Sequence, residues 1–221
     1  MRTGHPLREP RAPKIPKALA PATDADAELI HDGKYLSVAY GPVTLAGADV
    51  EDPEFERCRF EQTRWAGVTL HRAGFADVAF TGCDMANARL FNSRMFGATV
   101  TNCRMTGLHL SEGGLRDVVF DGCRADLASF RFAHLRDVVF RDCNLSEADF
   151  QNAELHNVRF ERCKLVATQF SFVTMNTVRF SGCDLNGVRG VTSFEGAIVA
   201  SADAMALLDA LASALGIRIE D

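Results

Sequence analysis

The chain has 221 residues, with 24 Lys and Arg against 29 Asp and Glu, and 47% of it is hydrophobic. That length supports one domain with a sizeable core, and a net charge of −5 selects no class of partner. No apolar run approaches the roughly 18 residues of a membrane span and the N-terminus lacks the apolar stretch of a signal peptide, so a cytoplasmic protein is expected.

Residues 1–22 read as a flexible leader. Pro6, Pro10, Pro13, Pro16 and Pro21 lie here, and Arg2, Arg8, Arg11, Lys14 and Lys17 face only Glu9. Such a segment buries too little apolar surface to order itself. A basic arm that touches an acidic partner is the alternative. Residues 23–44 then change character. Asp24, Asp26, Glu28 and Asp32 precede Tyr35-Leu36-Ser37-Val38-Ala39-Tyr40, which suggests a short helical turn and a strand that cap the first coil of a stacked array.

From Leu45 to Leu185 every fifth residue is apolar, 29 positions without a slip. A period of five matches neither a helix at 3.6 nor a strand at 2. A second inward position falls two residues before each apolar one and holds small residues such as Ala88, Ala98, Ala148 and Val158. The rest are polar or turn formers, such as Thr81-Gly82 and Asp121-Gly122, suited to corners of positive φ. Phe60, Phe80, Phe120, Phe140, Phe160 and Phe180 repeat in steps of 20 or 40, and cysteines recur every 20 from Cys83 to Cys183. Four five-residue sides therefore make one square coil, with coils paired at about 4.8 Å.

Ala86-Asn87-Ala88-Arg89-Leu90, Cys143-Asn144-Leu145-Ser146, Ala148-Asp149-Phe150-Gln151-Asn152 and Ala153-Glu154-Leu155 carry a pattern of the form A(D/N)LxX. In this the chain resembles the pentapeptide repeat proteins. The resemblance implies an all-β solenoid, a right-handed quadrilateral β-helix over 45–190. It also implies an interaction role, since one branch of that family protects type II topoisomerases from quinolones by imitating DNA and dimerises through a C-terminal element.

Residues 191–221 leave the frame once Gly190 breaks the apolar column. Ser201 is a candidate N-cap, and Asp203 lies in the first turn, where the helix dipole favours it. Met205, Leu208, Leu211, Ala212 and Leu215 form one helical stripe. Gly216 reads as the stop, with Ile217 following it and Ile217–Ile219 alternating like a short strand. The expected role is a cap on the last coil that also dimerises. Leu207, off the stripe, is expected to face a second subunit with Leu208, Leu211, Leu215, Ile217 and Ile219.

Little points to catalysis. A straight column of cysteines cannot converge on a metal, parallel Cβ vectors do not favour a disulfide, and buried Cys acts as a small hydrophobe. No HExxH, GxGxxG or Walker loop occurs. The expectation is a non-enzymatic binding protein without cofactor or metal, and without direct contact to nucleic acid or membrane. Two partner surfaces suggest themselves. One is the acidic cluster Asp49, Glu51, Asp52, Glu54 and Glu56; the other is Phe91, Phe132 and Phe172 on one side of the rod.

Two functions remain open. One is a DNA-mimicking binder of gyrase or topoisomerase IV. Residues 41–190 carry 19 acidic and 17 basic side chains, whereas a duplex of about 36 Å carries roughly 21 negative charges. The other is a rigid scaffold with no link to topoisomerases.

Overall fold

The computed structural model describes residues 8–45 and 47–220. The chain winds as an all-β parallel solenoid of about nine turns, the quadrilateral β-helix expected. Its spine is a run of eight-residue strands, one per coil: Gly74–Thr81, Arg94–Thr101, Gly114–Asp121, His134–Arg141, Glu154–Glu161 and Thr174–Ser181. Each pairs in parallel with the next at an offset of 20, as in Phe120 with Phe140 and Phe140 with Phe160. Backbone amides on the other sides also reach the neighbouring coil; Trp65 N–H donates to the Asp84 carbonyl at 2.7 Å.

The corners are built by one backbone conformation. The second residue of each five sits in the left-handed region, from Asp52 at φ 54° and Asp77 at 52° to Thr177 at 59°. Gly, Asn and Asp dominate these positions because they reach that region at little cost. Leu127, Phe132 and Phe172 also adopt it, at φ 59°, 56° and 60°.

Inside, four columns of apolar side chains fill the shaft. Phe120, Phe140, Phe160 and Phe180 stack face to face, with centroids 4.8, 5.2 and 5.0 Å apart. That spacing is the distance between coils, so the backbone ladder sets the ring stack. The neighbouring column Phe130, Phe150 and Phe170 meets the first edge to face; Phe140 and Phe150 lie 6.0 Å apart at 87°. Both geometries suit the ring quadrupole.

The frame begins two positions earlier than the sequence suggested. Tyr35 stacks on Phe55 at 4.8 Å and Tyr40 on Phe60 at 4.7 Å, so part of the expected cap is itself a coil. The helical turn Asp24–Ala27 is closed by a capping box between Thr23 and Asp26.

At the other end Gly190 takes φ 77°, and a Cβ there would lie 2.3 Å from the Ser171 nitrogen. The chain turns inward at this point and Phe194 lies flat on Phe180, 5.3 Å away at 3°. The C-terminal segment runs as helix Ser201–Ala204, a 3-10 turn Met205–Leu207 and helix Leu208–Ala214. The residue before the helix is Ala200, with no side-chain cap, so Ser201 is not the N-cap. Gly216 does end the helix, at φ 71°, and Ile217 N–H returns to the Ala212 carbonyl at 2.8 Å. Residues 217–219 form no strand.

Candidate functional site: a strapped corner and an apolar end

The thiols form the densest set of reactive groups. All seven cysteines are buried and free. In the column from Cys83 to Cys183, Sγ groups donate to backbone carbonyls 23 residues earlier: Cys83 to Phe60 at 3.3 Å, Cys123 to Val100 at 3.2 Å, Cys183 to Phe160 at 3.2 Å. Thr168 uses its hydroxyl in the same way, donating to the Leu145 carbonyl at 2.8 Å. The thiols are thus small core groups that also satisfy carbonyls. Burial pushes the Cys58 thiol up, away from the nucleophilic thiolate. Asp203 continues the column; its carboxylate accepts the Cys183 N–H at 2.9 Å. Among the described residues no three potential metal ligands converge.

The acidic cluster is not a free acidic surface. Arg72 reaches Glu51 at 2.6 Å and Asp52 at 2.7 Å and holds both carboxyls below their ordinary range. Asp49 lies 3.6 Å from His71, Glu54 3.3 Å from Lys34, and Glu56 2.9 Å from Arg57. The pattern continues up the rod, with Arg104 on Asp84 and Arg162 on Asp142. Residues 20 apart lie in adjacent coils, so opposite charges at that separation cancel locally.

The phenylalanines do not form one stripe. Phe132 and Phe172 share a corner column two coils apart and are exposed. Arg131 covers the Phe132 ring at 5.6 Å. Phe91 falls one register position before that column and is half-buried between His71 and His109, at 5.5 and 6.5 Å.

At the C-terminal end Leu207 is turned the opposite way from that expected. Leu207 is 6% exposed and packs into the core with Ala212 buried nearby, while Met205, Leu208, Leu211, Leu215, Ile217 and Ile219 face outward. Asp203, four residues before Leu207, is buried and tied to the Cys183 N–H at 2.9 Å. Side chains four apart share a helical face, so the anchored Asp203 turns Leu207 inward. Leu207 therefore cannot face a second subunit; the other five candidates can.

The leader carries the contacts that sequence reasoning missed. Residues 1–7 of the expected flexible segment lie outside the described residues. Residues 8–19 are laid lengthwise along the rod, over the corner column Asp77, Gly97, Asp117, Asp137 and Asn157. The Arg11 amide donates to Asp117 at 2.9 Å and the Lys14 amide to Asp77 at 2.9 Å. Arg8 spans Asp117 at 3.2 Å and Asp137 at 3.3 Å, and its carbonyl accepts from the Asn157 amide at 3.0 Å. Glu9 takes a two-pronged contact from the buried Arg159, at 2.6 and 2.5 Å. That guanidinium hydrogen bond holds the Glu9 carboxyl below its ordinary value. The Arg11 guanidinium lies 5.1 Å over the Phe96 ring, within cation–π range. At its far end the segment joins the sheet, with Ala20 and Pro21 paired to Val38 and Ala39.

The register is regular. Arg8, Arg11 and Lys14 meet Asn157, Asp117 and Asp77, three residues of leader to 40 residues of rod, or two coils. Two coils span about 9.6 Å, or roughly 3.2 Å per leader residue, close to the 3.1 Å rise of polyproline II. Pro10, Pro13, Pro16 and Leu19 are half-buried on the same three-residue cycle, with Ile15 half-buried beside them. The signal was in the sequence: Arg8, Arg11, Lys14 and Lys17 interleave with Pro10, Pro13 and Pro16 at a constant spacing of three.

A family model described as the pentapeptide repeat region matches residues 53–130, 93–170 and 117–190, more than half of the chain. No curated protein matches the sequence. Among solved structures the chain is similar to a trypsin-treated variant of QnrB1, a plasmid-mediated fluoroquinolone resistance protein. The identity is 20% over 87% of this chain and 100% of that one, with a TM-score of 0.37. It is also similar to HetL, a pentapeptide repeat protein involved in heterocyst differentiation regulation from the cyanobacterium Nostoc sp. strain PCC 7120. There the identity is 16% over 76% of this chain and 87% of that one, with a TM-score of 0.32. With its five-residue coils and the matches across them, the chain belongs to the pentapeptide repeat family.

Proposed function

We propose that this protein is a non-enzymatic interaction rod that works as a homodimer joined at its C-terminal end and presents its walls to a protein partner. One observation carries this reading: six large apolar side chains, Met205, Leu208, Leu211, Leu215, Ile217 and Ile219, face outward within a short terminal segment. Apolar side chains concentrated in this way mark an interaction surface, and a two-fold contact lets one patch cover its own copy. The rest of the rod offers a stiff surface that loses little conformational entropy on binding. Sedimentation of the full chain across a range of concentrations tests the dimer. A monomer at tens of micromolar would remove it.

A second reading is a DNA-mimicking binder of gyrase or topoisomerase IV that protects against topoisomerase poisons. An unbroken rod of about nine coils, roughly 43 Å at 4.8 Å per coil, favours it, because end-to-end dimerisation would double that length. The charge pairing between coils weighs against it, since a DNA-like surface needs a continuous negative band. A gyrase supercoiling assay with and without a quinolone discriminates. Unchanged supercoiling and unchanged drug inhibition leave the scaffold reading alone.

A further inference from the structure

We propose that the corner column Asp77, Asp117, Asp137 and Asn157 is a peptide-binding track. It selects an extended, proline-punctuated segment with a cation at every third residue. Residues 8–17 occupy it in cis and compete with such a segment from a protein partner. The inference does not depend on the dimer or on a topoisomerase.

Three features make the corner a built site. First, two of its acceptors are sunk beneath the leader. The Asp117 side chain is 0% exposed and that of Asp137 6%, although both lie on the outer surface of a coil. A carboxylate stripped of water needs donors, and the leader supplies the Arg11 amide and the Arg8 guanidinium. Second, the spacing is commensurate. A polyproline II segment brings the same side of its backbone round every three residues, the interval at which the rod presents the same column two coils on. Third, the proline positions follow from hydrogen bonding. Three of the half-buried positions, 10, 13 and 16, are proline, which has no N–H to leave unsatisfied. The positions that donate, Arg11 and Lys14, keep their N–H.

These features define the ligand: amide donors and cations in one three-residue phase, prolines in another. Proline pre-sets the extended form and reduces the ordering cost on binding. At one end Arg159 adds a clamp for a carboxylate beside the first cation, as with Glu9. Midway, the Phe96 ring adds a seat for a guanidinium. The leader is tethered a few residues away through Ala20–Pro21, so its effective concentration at the track is of millimolar order. A partner segment must outcompete it, which makes the leader a built-in competitor.

The test uses the full chain with Arg8→Glu, Arg11→Glu and Lys14→Glu, which repels the leader from the column. The probe is a fluorescein-labelled peptide of residues 8–18, followed by fluorescence anisotropy. It is expected to bind this variant at least about tenfold more tightly than the wild-type chain, whose own leader competes. Adding Asp117→Asn and Asp137→Asn is expected to abolish the binding. A peptide of the same composition with cations at every second residue is expected to bind at least about tenfold more weakly, because it loses the register. Equal binding by both peptides, or by both proteins, refutes the track.

If the triple variant misfolds, hydrogen exchange of the wild-type chain supplies the reading. Exchange at the Arg11 and Lys14 amides, which the rod's carboxylates hold, should accelerate several-fold when millimolar unlabelled peptide displaces the leader. An unchanged rate counts against the proposal. A dimer lost specifically on leader substitution would assign the track to a second copy's leader, and the cis assignment would fall.

Discussion

The Arg11 amide donates to the Asp117 carboxylate at 2.9 Å, across 106 residues of sequence. That one contact fixes the phase of the leader on the rod. Slipping the leader one way would set Pro10, which has no N–H, against the acceptor; slipping it the other way would carry the Arg8 guanidinium off Asp117 and Asp137.

Asp117→Asn keeps the shape and removes the charge. It is expected to lower stability by about 1 kcal/mol, below the usual range for a charged hydrogen bond because Arg8 and Arg11 remain half in water. The stronger effect should be local: faster amide exchange at Arg11, read by hydrogen-exchange mass spectrometry, with the exchange of the Phe140 strand unchanged.

The leader should loosen in acid. Arg159 depresses the Glu9 carboxyl below its ordinary value of 4.5. A depressed carboxyl contributes stability above the unfolded-state value and loses it as pH falls through the folded-state value. Exchange at Arg11 should therefore rise as pH drops below 4.5, after correction for intrinsic rates. The part of that rise due to Glu9 should be absent in Arg159→Gln. An identical profile in the two proteins would remove Glu9–Arg159 as the cause.

Two phenylalanines should respond in opposite directions. Phe140 lies between Phe120 and Phe160 and is buried; Phe140→Ala should cost about 3–5 kcal/mol. Phe172 is exposed in the left-handed region; Phe172→Gly should be neutral or gain up to about 1 kcal/mol by relieving the backbone. Denaturant melts measure both.

The thiols should be silent until the protein unfolds. All seven are buried and unpaired with one another. A thiol reagent should therefore count none in the native chain and seven in denaturant, with no change on adding reductant. A native count above zero would place a cysteine outside the shaft.

At the C-terminal end the two faces of the helix should separate by function. Leu207→Ala should lower stability by about 2–4 kcal/mol, since it empties a filled core position. Leu211→Glu with Leu215→Glu should leave the melt nearly unchanged and abolish the proposed dimer. Sedimentation together with thermal melts distinguishes the two.

The sequence by itself determined the coil. One five-residue side closes through local backbone geometry, with a left-handed corner residue and two inward side chains. Repetition copies that local rule along the chain, so the columns, the corners and the thiol ladder were all legible. Gly190 marked the end of the shaft for the same reason. The tertiary structure decided the features that no local rule contains. The acidic cluster looked like a bare surface in one dimension and is partly offset in three, because Arg72 stands one coil above Asp52. Leu207 faces inward because it shares a helical face with Asp203, which the Cys183 N–H of the last coils anchors. The leader lacks the apolar content to order on its own, yet it lies against the rod because three of its residues span the same distance as two coils. That match is between two periodicities far apart in the chain, and it exists only once the coils have stacked.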